Sequence, residues 1–554
     1  MKHALQFVTL PLAFWVGQAS LTGSVSLAQS GMETLEDVAY WQNLCQLQTQ
    51  AGNPEAGLSA CEQAIALEPE NANLWADYGF ALLSLEQYPE TLAAVDRALN
   101  LNEQNSLALT YQCMAYLGMD LPEKALDTCD AALQTNSFWG NQSPTLVWRT
   151  RGQILHQMGQ PQQALIAYDR ALQLEPNESV TLAYRCQTLV ETGEYMHGIT
   201  ACQAALAGDG NWLGETPALT WGYQGQAHTQ LGDYAKAIDA YDRAVALEPE
   251  NAEHWLQQGW LLEQIEEFAA AALSYTRAVE LTPESSRGLV GQCRTLNQQT
   301  QFEAAQAACE QALAGNGDWW PLGAAQAWRE LAHAKAGLGE YESALAAINR
   351  AVGIHPDYLQ AQSDRSVILW YLADYESAAE VANRIVNPEL TPVTEENQAI
   401  IVNSWTNLGR IYSSLEQPQL AINAYEQAIT LNGQNSETWA NLSAAYWLDE
   451  QYTEALNAAE QSITLNWQSE QGWQNQGAAQ AALGLYSQAQ LSYEQSLEIN
   501  NQNADVWAGL GAVQLRLGDA DAAMESLEIA IQLNPHQVLV QQILEAIAKA
   551  SSEE

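Results

Sequence analysis

The chain has 554 residues with 66 acidic against 20 basic side chains, a formal charge of −46. With only five lysines it has no clustered cations to hold phosphate, which argues against nucleic acid or an anionic bilayer as a partner. Hydrophobic content of 47% is ample for burial, yet six Phe stand beside 19 Trp and 22 Tyr, a bias that points to recurring units rather than several independent cores.

At the N-terminus, Lys2 and His3 precede an apolar stretch from Ala4 to Val16 that is too short to span a bilayer. Ser26-Leu27-Ala28 then places small residues at −3 and −1 for cleavage before Gln29. An export signal is expected over residues 1–28, with cleavage after Ala19 as a second option, and a short lead over 29–37. Removing one Lys and no acid leaves a mature charge of −47. No cysteine near the cleavage region marks a lipid anchor, and nothing later reads as a membrane span. The expected location is a periplasm or lumen, or the exterior.

Beyond the lead, Trp recurs every 34 residues, from Trp41 to Trp75, from Trp221 to Trp255, and from Trp405 through Trp439 and Trp473 to Trp507. A common frame surrounds these positions, clearest at Trp221-Gly222-Tyr223-Gln224-Gly225, Ala237, Tyr241, Ala244 and Pro249. This resembles the tetratricopeptide repeat, a helix-turn-helix unit of the same period. Fourteen units can be set in register, starting at residues 38, 72, 106, 145, 179, 218, 252, 286, 325, 359, 402, 436, 470 and 504. They cover 38–537, with 538–550 as a closing helix and 551–554 as a tail. The resemblance implies an all-α fold, an α-solenoid wound as a right-handed superhelix in which each repeat needs its neighbours to bury its apolar faces.

Within the frame, position 4 is Trp in ten repeats, and positions 20 and 27 are each Ala in eleven. Small residues there let two antiparallel helices approach closely. Tyr at position 24, as in Tyr168, Tyr275, Tyr425 and Tyr493, is always accompanied by Gly at position 8, so a large residue faces a small one. Pro at position 32 ends the second helix, as at Pro69, Pro176, Pro249 and Pro283.

All eight cysteines occupy position 8 or 24: Cys45 with Cys61, Cys113 with Cys129, Cys186 with Cys202, and Cys293 with Cys309. In a hairpin turning near position 16 these positions stand at equal height, so four disulfides are expected, in an oxidising compartment. Free buried thiols are the bland alternative. Zinc would need four ligands, and no His is placed to complete a site. Repeats three, five and eight also carry Trp139, Trp212 and Trp319 at position 34. Five extra residues follow each, at 140–144, 213–217 and 320–324, and the tenth repeat has a nine-residue insert at 393–401. These Trp-bearing loops, Trp320 included, either seal a widened joint between repeats or bind a glycan of the cell envelope.

The resemblance implies that positions 2, 5, 9 and 12 of each first helix line a concave groove that receives an extended peptide. Of the 15 arginines, Arg149, Arg287, Arg294, Arg329 and Arg410 fall there, against four acids, Glu253, Glu263, Glu437 and Asp505. The predicted groove is therefore near +1 in an acidic protein. Its middle adds His156, Trp260, His333 and Trp370, and its start is more apolar, with Phe80, Leu83, Met114 and Leu117. Arginine with aromatics suits a peptide or acidic group, although the same arginines could neutralise acids within the array. No HExxH, GxSxG or GxxxxGK[ST] motif is present, and Gly208-Asp209-Gly210 lacks the further ligands of a metal loop. The expectation is an exported, monomeric, non-enzymatic scaffold with a protein or peptide partner, without cofactor, metal, nucleic acid or membrane insertion.

Overall fold

The computed structural model describes residues 37–137, 139, 143–212, 216–536 and 540–541. The expected export signal, nearly all of the lead, the tail, and the closing helix apart from Val540 and Gln541 lie outside the described residues, as do 140–142 and 213–215 of the inserts. Among the described residues there are 28 α-helices and no strand, an all-α repeat solenoid. No helix among them is long and apolar enough to cross a membrane. They form two compact bodies, one ending at His254 and one beginning at Trp255.

Each repeat is a helical hairpin, for example Val38–Gln50 with Pro54–Leu67 in the first body and Ser436–Leu448 with Tyr452–Leu465 in the second. Local chemistry sets the ends. Asn71, Asn105, Asn435 and Asn503 cap first helices by accepting backbone N–H groups at their start. Pro54, Pro122, Pro161 and Pro418 open second helices, where the missing N–H is not needed. The turn between the two helices passes through a left-handed residue at position 15. It is glycine at Gly52, Gly159 and Gly484, but a side chain-bearing residue at Glu86, Asp120, Ala373 and Glu450. The eleventh first helix begins at Gln398, so the end of the 393–401 insert is helix rather than loop.

Packing inside each body follows the small and large positions. Ala125, Ala164 and Ala237 at position 20 are fully buried in the first body, as are Ala271, Ala421 and Ala489 in the second. A Cβ placed on Gly225 would come within 2.7 Å of the Tyr241 ring, and one on Gly477 within 2.9 Å of Tyr493, so the tyrosine fills the space the glycine leaves. Successive first helices touch one another in each body, whereas successive second helices do not pack together comparably. The first helices therefore crowd along the inner side of each stack.

The position-4 tryptophans do more than fill volume. They are half-buried, and their indole N–H reaches the carbonyl six residues upstream: Trp75 to Pro69 at 2.9 Å, Trp439 to Gly433 at 2.9 Å, Trp473 to Trp467 at 2.8 Å and Trp507 to Asn501 at 2.9 Å. Where the tryptophan is absent, Gln362 and Gln541 make the same bond to Pro356 and Pro535. At these six places one donor ties the connection between repeats to the helix that follows it.

The cysteine-bearing repeats are closed across their own width. All four expected couples stand at disulfide distance: Cys45 and Cys61 with Cα atoms 5.1 Å apart, Cys113 and Cys129 at 5.3 Å, Cys186 and Cys202 at 5.0 Å, and Cys293 and Cys309 at 5.3 Å. No described cysteine is left over, and all eight are buried, so it is the pairing at this distance, not the burial, that favours bridged sulfurs over free buried thiols. In repeats five and eight the chain leaving the second helix also folds back onto the start of its own first helix. Asp209 Oδ1 accepts the Ser179 N–H at 3.2 Å while Ser179 Oγ accepts the Gly210 N–H at 3.1 Å. Asn316, Ser286 and Gly317 repeat that exchange at 3.2 and 3.1 Å. A Cβ on Gly208 or Gly315 would strike the serine hydroxyl at 2.6 Å, which accounts for the glycines without any metal.

Candidate binding face on the first helices

In the first body, Arg149 is buried and ion-paired with Glu178, whose other oxygen takes the Thr181 hydroxyl. His156 lies between Glu191, 3.0 Å from Nε2, and the Thr188 hydroxyl, 3.1 Å from Nδ1. Phe80 stacks on Tyr111 with ring centroids 5.0 Å apart, and Leu83 and Met114 lie against the same cluster, so this apolar start belongs to the core.

In the second body, Arg287 meets Asp318 at 3.2 Å and lies 5.3 Å from the centroid of Trp320. Arg294 grips both oxygens of Glu263, with Nε to Oε1 at 2.6 Å, and the Tyr275 hydroxyl donates to the same carboxylate at 2.8 Å. Burial alone would disfavour the Arg294 cation, but Glu263 raises it above its ordinary range. Burial pushes the Glu263 carboxyl up, while Arg294 and Tyr275 oppose that shift. Arg329 reaches Asp364 at 2.6 Å and Glu330 at 3.1 Å. Asn297 adds bonds to the Glu330 carbonyl and carboxylate at 2.9 and 3.2 Å.

These contacts correct the predicted groove charge. Arg149, Arg287, Arg294 and Arg329 are spent on acids of the array, and of those acids only Glu263 sits at one of the four groove positions. The others stand at position 6 (Glu330 and Asp364) or at the end of a repeat (Glu178 and Asp318). A signal was available. Position 6 also holds Asp77, which accepts from the Gln42 and Gln46 amides of the preceding first helix at 2.8 and 3.0 Å. An acid at this position points across to the previous repeat.

Four predicted residues remain, His333, Trp260, Trp370 and Arg410. His333 is exposed, with its ring centroid 6.4 Å from that of Phe302. Trp260 is half-buried. Trp370 is half-buried, donates its indole N–H to Ser414 Oγ at 2.9 Å, and carries the Arg410 guanidinium 4.7 Å from its ring centroid. Together with Val367, Asn407 and Ile411 these two residues line an open hollow. Among the described residues, Arg410 has no ion-pair partner within 4.0 Å. Three more residues extend the face. Tyr371 is 49% exposed and stacked on Tyr341 at 4.7 Å, Trp447 is 42% exposed, and Asn407 lines the hollow. Trp447 occupies position 12 of its repeat and was readable by the same rule; Asn407 and Tyr371 lie one position off it.

Trp139 and Trp319, each just before an insert, look inward: Trp139 packs with the cluster around Cys113 and Cys129, and Trp319 with Leu289, Val290 and Ala327. At these two places the tryptophan fills the joint between repeats. The sixteen-residue cysteine spacing likewise serves hairpins, and no cluster of metal-ligating side chains exists among the described residues.

Models described as tetratricopeptide repeat match residues 18–138, 145–178, 224–286, 294–358, 329–392, 402–435 and 475–538. Mitochondrial import receptor subunit TOM70 of Homo sapiens is 29% identical over 108 residues, 19% of this chain and 18% of that protein. The chain therefore matches less than a fifth of that relative's length. Among solved structures, the APC/C hetero-tetramer Cut9-Hcn1 is 14% identical, covering 94% of this chain and 99% of that one with a TM-score of 0.40. YrrB, described as a TPR protein with an unusual peptide-binding site, is 18% identical over 36% of this chain and 99% of its own, with a TM-score of 0.30. Proteins built from such repeats are generally non-enzymatic scaffolds for protein–protein contact, and with the 34-residue frame, the helical hairpins and family matches over well over half of its length, the chain belongs to the tetratricopeptide-repeat family.

Proposed function

We propose that this protein is an exported, non-enzymatic scaffold that holds a segment of another protein against the first helices of its second body. The observation that carries the proposal is the set of aromatic side chains those helices present, Trp260, Trp370 and Trp447 with exposed Tyr371. Aromatic anchors of this kind supply most of the energy in peptide recognition, particularly beside an arginine. The buried arginines contribute to the fold instead. Substituting Arg287, Arg294 and Arg329 together would leave Asp318, Glu263 and Asp364 unanswered and would test stability rather than binding.

Export rests on the Lys2-to-Ala28 segment and on eight cysteines that stand in pairs, an arrangement suited to an oxidising compartment. The test uses the full-length precursor in an exporting cell, with a photo-crosslinking amino acid at Trp370 or Trp447 and, as control, at Leu273, which is 74% exposed on a second helix. The inner positions should yield adducts with one partner species and Leu273 should not. The same exported preparation should show no alkylatable thiol until it is reduced. Equal labelling from Leu273, or eight free thiols in the exported protein, would dismiss the scaffold or the compartment respectively.

A further inference from the structure

We infer that the connections after repeats eleven, twelve and thirteen, at 432–435, 466–469 and 500–503, form a binding edge for a neutral glycan, with Trp467 as the surface on which a sugar ring stacks. This edge lies at the start of the first helices, whereas Trp447 stands near the end of its own, and it does not depend on the scaffold reading.

Composition first sets the edge apart. Connections such as 68–71, 175–178 and 248–251 carry two glutamates each, whereas Asn432-Gly433-Gln434-Asn435, Asn466-Trp467-Gln468-Ser469 and Asn500-Asn501-Gln502-Asn503 hold no charged residue. Hydrogen bonds set the three side by side. Ser436 directly follows the first, and its Oγ lies 3.1 Å from Ser462 Oγ, which lies 3.2 Å from Ser469 Oγ of the second. Asn500 and Asn503 of the third donate to Glu470, the residue after the second, at 3.0 and 2.6 Å. A neutral strip rich in amides therefore crosses three repeats of a chain of −46.

Trp467 stands at position 32, where Pro69, Pro176, Pro249 and Pro283 stop second helices. Its side chain is 70% exposed and makes no ring contact among the described residues. The fold uses its backbone: its carbonyl takes the Trp473 indole N–H at 2.8 Å, the Asn466 N–H reaches the Ser462 carbonyl at 2.9 Å, and the Ser469 N–H reaches the Asn466 carbonyl at 3.0 Å. A large flat ring is thus offered to solvent on a fixed support. A pyranose has a C–H face that packs on such a ring and edge hydroxyls that each donate and accept. Side-chain amides match those hydroxyls because one group carries both functions. Asn432 and Asn466 spend their Oδ1 atoms on the Gln434 and Gln468 N–H groups at 3.0 and 3.1 Å. Their NH2 groups, and the whole side-chain amides of Gln434 and Gln468, have no partner among the described residues. Charge selects among sugars. The acidic surplus repels a uronic or phosphorylated polymer, and the strip holds no cation to attract one.

The test is isothermal titration of the full-length protein, purified from exporting cells, with cellohexaose, chitohexaose and maltohexaose as neutral probes and hexagalacturonate as the anionic one. At least one neutral probe should bind with a Kd of roughly 0.1–5 mM, as a shallow site allows, and hexagalacturonate should not. Trp467→Ala should weaken binding about 10-fold or more without changing the melt, and Trp467→Phe only about 2- to 5-fold because a smaller ring remains. Asn432→Ala combined with Gln468→Ala should weaken it about 3- to 10-fold. Leu491→Ala, at a 62% exposed site on the outer side of repeat thirteen, should leave it unchanged.

No binding by any of the three neutral probes at about 5 mM, equal binding of hexagalacturonate, or full affinity in Trp467→Ala would overturn the glycan edge. Loss of protein crosslinking from Trp370 in Trp467→Ala would overturn it too, because the indole would then belong to the partner surface. Crosslinking that persists in a variant no longer binding sugar shows two separate sites, as inferred.

Discussion

Asp77 is buried to 5% exposure on the first helix of the second repeat, with the Gln42 and Gln46 amides as its partners and, among the described residues, no cation at its carboxylate. Burial pushes its carboxyl from the ordinary 3.8 up to about 6, against the pull of those two amides. The sign follows from linkage: a folded-state value raised above the unfolded one means that the fold prefers the protonated acid. The cost to stability is therefore absent below about pH 4, grows as pH rises through the interval, and is complete above about pH 6. It amounts to no more than about 3 kcal/mol. Asp77→Asn keeps the shape and removes the charge, and either glutamine can turn its amide to suit. The variant should protect residues 38–101 in hydrogen exchange at pH 7.5 by up to that amount, and the advantage should fade by pH 4.5. An advantage independent of pH would mean that the carboxylate charge is not what burial penalises. Position 6 also explains what the groove rule left out. The groove rule marks Arg294 and Arg329 by their place on the first helices, but their charge is cancelled by Glu263, Glu330 and Asp364, and that pairing depends on how one first helix leans on the next. Arg410 and Arg294 both stand at position 9; their neighbours on the adjoining helices, Trp370 for one and Glu263 for the other, distinguish them.

At the scale of the hairpin, the left-handed turn residue at position 15 divides the repeats into two kinds. Gly193, Gly232, Gly339 and Gly518 adopt it freely, while Glu266, Thr300, Ala373 and Glu416 hold φ between 57° and 63°. A left-handed conformation costs a residue with a Cβ roughly 1–2 kcal/mol, and glycine gives back about 0.5–1 kcal/mol through the entropy of the unfolded chain. The difference favours glycine by roughly 0.5–1 kcal/mol. Ala373→Gly is the cleanest case, because only a methyl group is removed. It should stabilise the second body by that amount in urea denaturation, whereas Ala346→Gly, the same change at an exposed mid-helix site, should destabilise it by about 1 kcal/mol. If both substitutions destabilise, the turn tolerates the side chain without strain. The hairpin itself was visible, because Ala at positions 20 and 27 and Pro at position 32 are local signals, whereas the turn glycines, the Asn caps and the Pro residues that open second helices emerge only with the structure. The cysteine couples were legible for the same reason, since Cys61, Cys129, Cys202 and Cys309 each follow their partner by the spacing that sets facing helices level. Less legible was the start of the eleventh first helix at Gln398, where the insert reads as a loop and gains helical bonds only from the helix it extends. The clasp of Asp209 and Asn316 onto Ser179 and Ser286 was hidden too, because its partners lie 30 residues apart.

For the molecule as a whole, the balance of charge decides how stability should respond to salt. Among the described residues, arginines such as Arg97, Arg151, Arg185, Arg243 and Arg277 are also occupied by acids of this chain. A surplus of 46 acids is left with little to answer it. Two effects of salt oppose each other. Screening weakens exposed ion pairs, but each of these is worth only about 0–1 kcal/mol, and buried pairs such as Arg294–Glu263 are screened far less. Screening also relieves repulsion among the surplus carboxylates, and at 0.15 M the screening length is about 8 Å, comparable to the spacing of charges on so acidic a surface. The second effect acts on many more groups and should win. Raising NaCl from 20 to 500 mM at pH 7.5 should therefore increase the melting temperature by roughly 3–6 °C. At pH 4.2, where the sequence carries no net charge, the same salt step should give almost no increase. A melting temperature that falls with salt at pH 7.5 would show that internal ion pairs, rather than carboxylate repulsion, govern the stability of the array.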